Sequence, residues 1–143
     1  MNKNKIVKID EVEIGYNRPV PVIAEIGVNH LGNLDRAKKM VDLANEGGAD
    51  FIKFQTYVAE RRYDLSKNPK AKHFIEMTKK WQLSEEDEIE LWDYARKQKA
   101  KVFTSVYDAK TVKFAEQLEN PVYKIAAFEI TNKELISEII KTK

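Results

Sequence analysis

Four short apolar runs, at 20–27, 50–56, 101–107 and 122–127, are each followed by a segment whose apolar residues recur at helical spacing. That order predicts βα units in a parallel sheet, because strands pointing the same way need a crossover and a helix is the usual one. A pair of shorter strands, 5–10 and 11–14, precedes them. After the first run Asn33 caps a helix with Leu34, Ala37, Met40, Val41 and Ala44 at helical spacing, and Gly47 with Gly48 stops it through a left-handed cap. The stretch 57–82 is long and irregular, with one short helix presenting Phe74, Met77 and Trp81 on one side. Ser84 with Asp87 forms a capping box for a helix running to about Lys99, with Ile89, Leu91, Trp92 and Ala95 as its apolar face. Asp108 caps the next helix, in which Val112, Ala115 and Leu118 are spaced for burial before Asn120-Pro121 ends it. Thr131 with Glu134 caps the last, which carries Leu135, Ile136, Ile139 and Ile140.

At 143 residues the chain has room for one core. Four βα units in series make half of an eight-unit barrel, which usually takes about 250 residues. The last helix reaches residue 143 with neither a terminating glycine or proline nor a following strand. The expected fold is therefore α/β: the first four βα units of a TIM-type (β/α)8 barrel, preceded by a short β-hairpin. A complete small α/β sandwich of about five strands is the alternative. A net charge of +2 is too near balance to build a nucleic-acid-binding field, and no run approaches the length of a membrane span. The absence of cysteine excludes disulfides and thiolate metal sites and suits a cytoplasmic location.

Strands buried on both faces should be almost purely apolar, so polar interruptions near their C-terminal ends are informative. Each of the four runs has one: Glu25, then Lys53 and Gln55, then Thr104-Ser105, then Lys124. Period-2 alternation sets Ile23, Glu25 and Gly27 on one face against Ala24 and Ile26, and groups Lys53 with Gln55 against Ile52 and Phe54. With the apolar sets under the helices, Glu25, Lys53, Gln55, Ser105 and Lys124 converge at the C-terminal mouth of the sheet. Two lysines beside one glutamate leave excess positive charge, which a small dianion or trianion would neutralise. Asn29 and His30, in the loop after the first strand, lie within reach of a ligand held there. The glycines match no nucleotide-binding pattern.

The segments IAEIGVNHLGN, GGADFIKFQT, FTSVYD and VYKIAAFEIT, in this order, resemble the N-terminal half of the sialic acid synthase (N-acetylneuraminate synthase) family. The resemblance implies a (β/α)8 barrel followed by an antifreeze-like domain in a homodimer, of which residues 1–143 hold only the first half-barrel. It implies condensation of phosphoenolpyruvate with an N-acetylated amino sugar, N-acetylmannosamine or a modified relative, to a nonulosonic acid and phosphate. Glu25 is then the expected catalytic carboxylate, and Lys53, Gln55, Ser105, Lys124, Asn29 and His30 the expected substrate-binding residues. A divalent metal, Mn or Mg, is implied as cofactor, with ligands outside these residues. Three positions depart from the family: Ser105 stands for a threonine, Val106 for a rigid proline, and Ala127 for a serine that donates a hydrogen bond. FEIT leans toward the branches making pseudaminic or legionaminic acids. The other readings are a half-barrel that needs a partner chain and a non-catalytic binding or regulatory remnant.

Overall fold

A computed structural model describes residues 5–142. The hairpin is present, with β1 (Val7–Ile9) antiparallel to β2 (Val12–Ile14). The central sheet has three parallel strands in the order β3 (Ile23–Gly27), β4 (Phe51–Thr56) and β5 (Val102–Val106). Five helices accompany them: α1 (Leu34–Glu46), α2 (Lys72–Lys79), α3 (Glu85–Lys97), α4 (Ala109–Gln117) and α5 (Lys133–Ile140). The chain is thus α/β with a parallel sheet.

The caps explain where the helices begin and end. Asn33 accepts the Arg36 N–H at 2.7 Å, and Ser84 accepts that of Asp87 at 3.0 Å while Asp87 accepts the Ser84 N–H in return. Beyond α1, Gly48 takes φ +77, and the Ala49 N–H reaches the Ala44 carbonyl at 3.1 Å, closing the expected left-handed cap. One sheet face is sealed by helices. Ile52, Phe54 and Val102 pack there on Ala37 and Val41 of α1, Leu91, Trp92 and Ala95 of α3, and Phe114 of α4.

Four expectations need correction. No strand forms over 122–127; a single parallel bridge links Tyr123 to Thr104. The reason lies in Asn120, whose Oδ1 accepts the Thr104 N–H at 3.0 Å while its Nδ2 donates to the Val122 carbonyl at 2.8 Å. A side chain occupies the place of a ladder carbonyl. The buried face of α3 is Glu88, Leu91, Trp92 and Ala95, whereas Ile89 is 47% exposed. On α2, Ile75 and Thr78 are buried and Phe74 is exposed, so the inward face lies one residue on from the one expected. The α5 cap is Asn132, which accepts the Leu135 N–H at 3.1 Å; Thr131 stands outside it.

The opposite sheet face carries no helix. Phe51 and Phe103 meet edge to face there, with ring centroids 6.0 Å apart, and with Ile9, Ile14, Ile23 and Val122 they line an apolar cavity of about 220 Å³. The polar residues lie on this face, nearer the C-terminal ends of the strands.

Candidate functional site

Register brings the polar residues together. Glu25 pairs with Lys53 across β3 and β4, and Gln55 pairs with Ser105 across β4 and β5. Partners across a parallel pair share a face, so all four project on the helix-free side. The β3 ladder slips between Glu25 and Gly27, which pairs with Phe54. Gly27 there takes φ +59, and a Cβ would stand 3.2 Å from Glu25 Oε1 and 3.3 Å from Gln55 Nε2. A side chain there would strain the backbone and press on the ends of Glu25 and Gln55, so glycine suits the position.

Lys53 is the centre of the site. Its side chain is 5% exposed, and Nζ lies 3.0 Å from Glu25 Oε1. It also donates to Ser105 Oγ at 3.1 Å and to the Phe54 carbonyl at 3.2 Å. Burial lowers the Lys53 pKa from its ordinary value, the Glu25 carboxylate opposes that shift, and the Lys124 charge adds to it. The Glu25 side chain itself is 56% exposed. A cavity of about 500 Å³ opens above the pair, and its walls include Glu25, Asn29, Lys53, Gln55, Ser105 and Lys124.

His30 is not among them. It is 2% exposed, its ring 6.1 Å from that of Phe54, and Nδ1 accepts the Gly32 N–H at 3.2 Å. Burial lowers its pKa, with the Gly27 backbone opposing, so the ring holds a turn as a neutral imidazole. The ring lies beside Phe54 in the core and does not line the cavity.

Three wall residues escaped the sequence reading. Tyr107 donates from its hydroxyl to Gln55 Oε1 at 2.9 Å, and burial pushes that hydroxyl's pKa up to about 12. Alternation continued past Ser105 would have found it. Arg62 and Phe128 arrive from irregular segments, for which no periodic signal exists. Behind the site, Glu88 is fully buried and accepts from Thr56 Oγ at 2.6 Å, and Thr56 Oγ lies 3.0 Å from Thr104 Oγ. Burial raises the Glu88 carboxyl to about 8.

The residues present do not make a metal site. The Glu25 carboxylate is committed to Lys53, and among the described residues no three His, Asp or Glu gather within reach of an ion. Chemically, the cavity offers two amines, a hydroxyl and an amide to an anion, with one carboxylate at hand.

A parallel α/β sheet with polar and cationic side chains gathered at the C-terminal ends of its strands is the arrangement of an α/β enzyme domain. Comparison narrows that class: the NeuB family profile matches residues 40–143, and the chain belongs to this family. It is 32% identical over 138 residues to the pseudaminic acid synthase of Helicobacter pylori, covering 88% of this chain and 40% of that protein. Over 129 residues it is 32% identical to the N,N'-diacetyllegionaminic acid synthase of Campylobacter jejuni, covering 84% of this chain and 39% of that one. The solved structure of a sialic acid synthetase from Leptospira borgpetersenii, in complex with citrate, superposes with a TM-score of 0.86 at 28% identity, over 96% of this chain and 47% of its own. The chain thus spans about two fifths of the length of the curated relatives it matches.

Proposed function

We propose that these residues form the N-terminal half of a (β/α)8 barrel, with 122–127 in the fourth strand's place beside Thr104, in a synthase that joins phosphoenolpyruvate to an N-acetylated amino sugar, releasing phosphate and a nonulosonic acid. The observation that carries this reading is the buried Lys53 amine, bonded to Ser105 and Glu25 at the floor of a cavity that Lys124 also lines. Lys53, Lys124 and the Ser105 hydroxyl hold the phosphate and carboxylate of phosphoenolpyruvate, which fixes its C3 toward the sugar aldehyde. The C3–C1 bond forms with the enol electron pair, the aldehyde oxygen takes a proton, and C2 becomes cationic. Water adds at C2, and the tetrahedral adduct loses inorganic phosphate to leave the 2-keto acid. Glu25 stands beside Lys53, where its carboxylate stabilises C2 and receives the proton of the added water. Gln55 and Asn29 line the wall on which the sugar lies.

A divalent metal, as the family resemblance implies, would take its ligands from outside residues 1–143 and would polarise the sugar aldehyde as a Lewis acid. The relatives named for pseudaminic and legionaminic acids favour a modified amino sugar over N-acetylmannosamine itself. One observation favours a second reading, a non-catalytic binding remnant: Ala127 lines the cavity without a hydroxyl, forgoing a bond of about 1.5–3 kcal/mol to a charged ligand.

The test is to fuse residues 1–143 to the second half-barrel and terminal domain of a relative, and to assay phosphate release with Mn²⁺, phosphoenolpyruvate and N-acetylated hexosamines. Release should depend on both substrates, and Glu25→Gln or Lys53→Ala should lower it at least about 10²-fold. A fusion that folds and releases no phosphate would leave the binding remnant as the surviving reading.

A further inference from the structure

Arg62 sits among aromatic rings at the cavity wall. Its guanidinium carbon lies 4.8 Å from the ring centroid of Tyr57, 4.6 Å from Tyr107, and 5.8 Å from both Tyr63 and Phe128. The rings brace each other: Tyr57 meets Tyr107 edge to face at 6.1 Å, and Tyr107 stacks on Phe128 at 5.8 Å. Such contacts fix the plane of the guanidinium but accept none of its in-plane hydrogen bonds.

Three of the nearby acids serve other cations, and Glu129 accepts from the Asn132 amide at 2.6 Å. Asp108 pairs with Arg61 at 2.7 Å, Glu60 with Lys79, and Glu25 with Lys53. Among the described residues no carboxylate forms an ion pair with Arg62, and its Nε is buried without a hydrogen-bond partner. Buried donors are nearly always satisfied, and a charged one left open is costly enough to require a reason. The side chain shares the cavity of about 500 Å³ with Lys53 and Lys124, and the Tyr107 hydroxyl ties its platform to Gln55.

We propose that Arg62 is a ligand-binding residue, whose ring-held planar fork takes a carboxylate or phosphate group that Lys53 and Lys124 leave free. The inference rests on the anion-binding reading of this cavity and adds a second anchor to it. The two sources of such a group are the carboxylate of phosphoenolpyruvate and a phosphate on the sugar.

The experiment uses the ¹⁵N-labelled chain of 143 residues. The Arg62 Nε–H and Lys53 Nζ resonances are followed while phosphoenolpyruvate, N-acetylmannosamine and its 6-phosphate are added separately. The Arg62 signal should shift saturably with an anionic probe and stay still with the neutral sugar. A response to phosphoenolpyruvate assigns the group to that acid; a response confined to the sugar phosphate assigns it to the second substrate. Arg62→Lys, which keeps the charge, and Arg62→Met should each weaken binding of the effective probe by about tenfold or more, with melting temperatures showing that they fold. No Arg62 shift with either anion up to about 20 mM, or affinity unchanged in both variants, overturns the proposal. If anions move Lys53 and leave Arg62 still, this inference falls and the reading of the site stands. If they move Arg62 alone, the reverse holds.

Discussion

Glu88 is the residue whose chemistry is least expected from its place in the chain. A carboxyl at the fully buried position of α3 ionises only near 8, against an ordinary value of 4.5. The folded state therefore holds its proton more tightly than the unfolded chain does. Its contribution to stability is greatest below pH 4.5, falls as pH rises toward 8, and is constant beyond. Glu88→Gln keeps the shape and an acceptor for Thr56 without the charge. We expect it to raise the melting temperature at pH 8 and leave it nearly unchanged at pH 4.5, as calorimetry at the two pH values would read; equal effects at both would rule the titration out. Lys53 behaves in the opposite sense, since removing it strands the Ser105 hydroxyl and frees Glu25. Lys53→Met exchanges the amine for an apolar chain of similar length, and the Ser105 hydroxyl it strands should cost about 1–3 kcal/mol, while phosphoenolpyruvate binding followed by NMR is lost. Retained binding would remove Lys53 from the site.

At the scale of elements, the irregular ladder at the end of β3 sets the position of Glu25. Gly27→Ala imposes a side chain at φ +59 and crowds Glu25 Oε1, so a loss of about 1–2 kcal/mol in urea denaturation is expected. The Lys53 Nζ resonance should move with it; an unperturbed resonance would show that the glycine serves the backbone alone. Much at this scale was legible beforehand. Strands β3, β4 and β5, their alternation, and the caps at Asn33, Ser84 and Asp108 follow from local patterns, and the site residues Glu25, Lys53, Gln55 and Ser105 follow from the strands. The failures have separate causes, and the first is a pattern completed with the residue of expected polarity. Residues 88, 91, 92 and 95 keep helical spacing, yet position 88 is an acid, and Ile89 fits the expected polarity of the face better. Asn120 looked like a helix stop and turned out to substitute for a strand. His30 looked like a loop donor and lies in the core, since nothing local tells which loop side chains fold inward. Arg62 depends on four aromatic rings scattered from 57 to 128 in the sequence, a meeting that only the tertiary fold creates.

For the molecule as a whole, the imbalance between its two sheet faces matters most. Parallel sheets are normally covered on both sides, but here helices cover one. The other meets the hairpin residues Ile9 and Ile14 around an open apolar cavity, with Phe51 and Phe103 at its floor and Ile23, 49% exposed, on its wall. The isolated 143-residue chain should therefore associate with itself as concentration rises, seen as a growing sedimentation coefficient, and should enhance the fluorescence of a hydrophobic dye. A single monomeric species throughout, dark to the dye, would show that this face needs no cover.

The contact between Lys53 and Glu25 carries a last consequence. Without a visitor, the amine has borrowed a counter-ion from its own chain. An incoming dianion must compete for that amine, so filling the site and setting the carboxylate loose become one event. On the proposed function, capture of the first guest arms the group that acts upon it, and Glu25→Gln, which makes a weaker rival, should tighten the guest's hold in a binding titration even as turnover is lost.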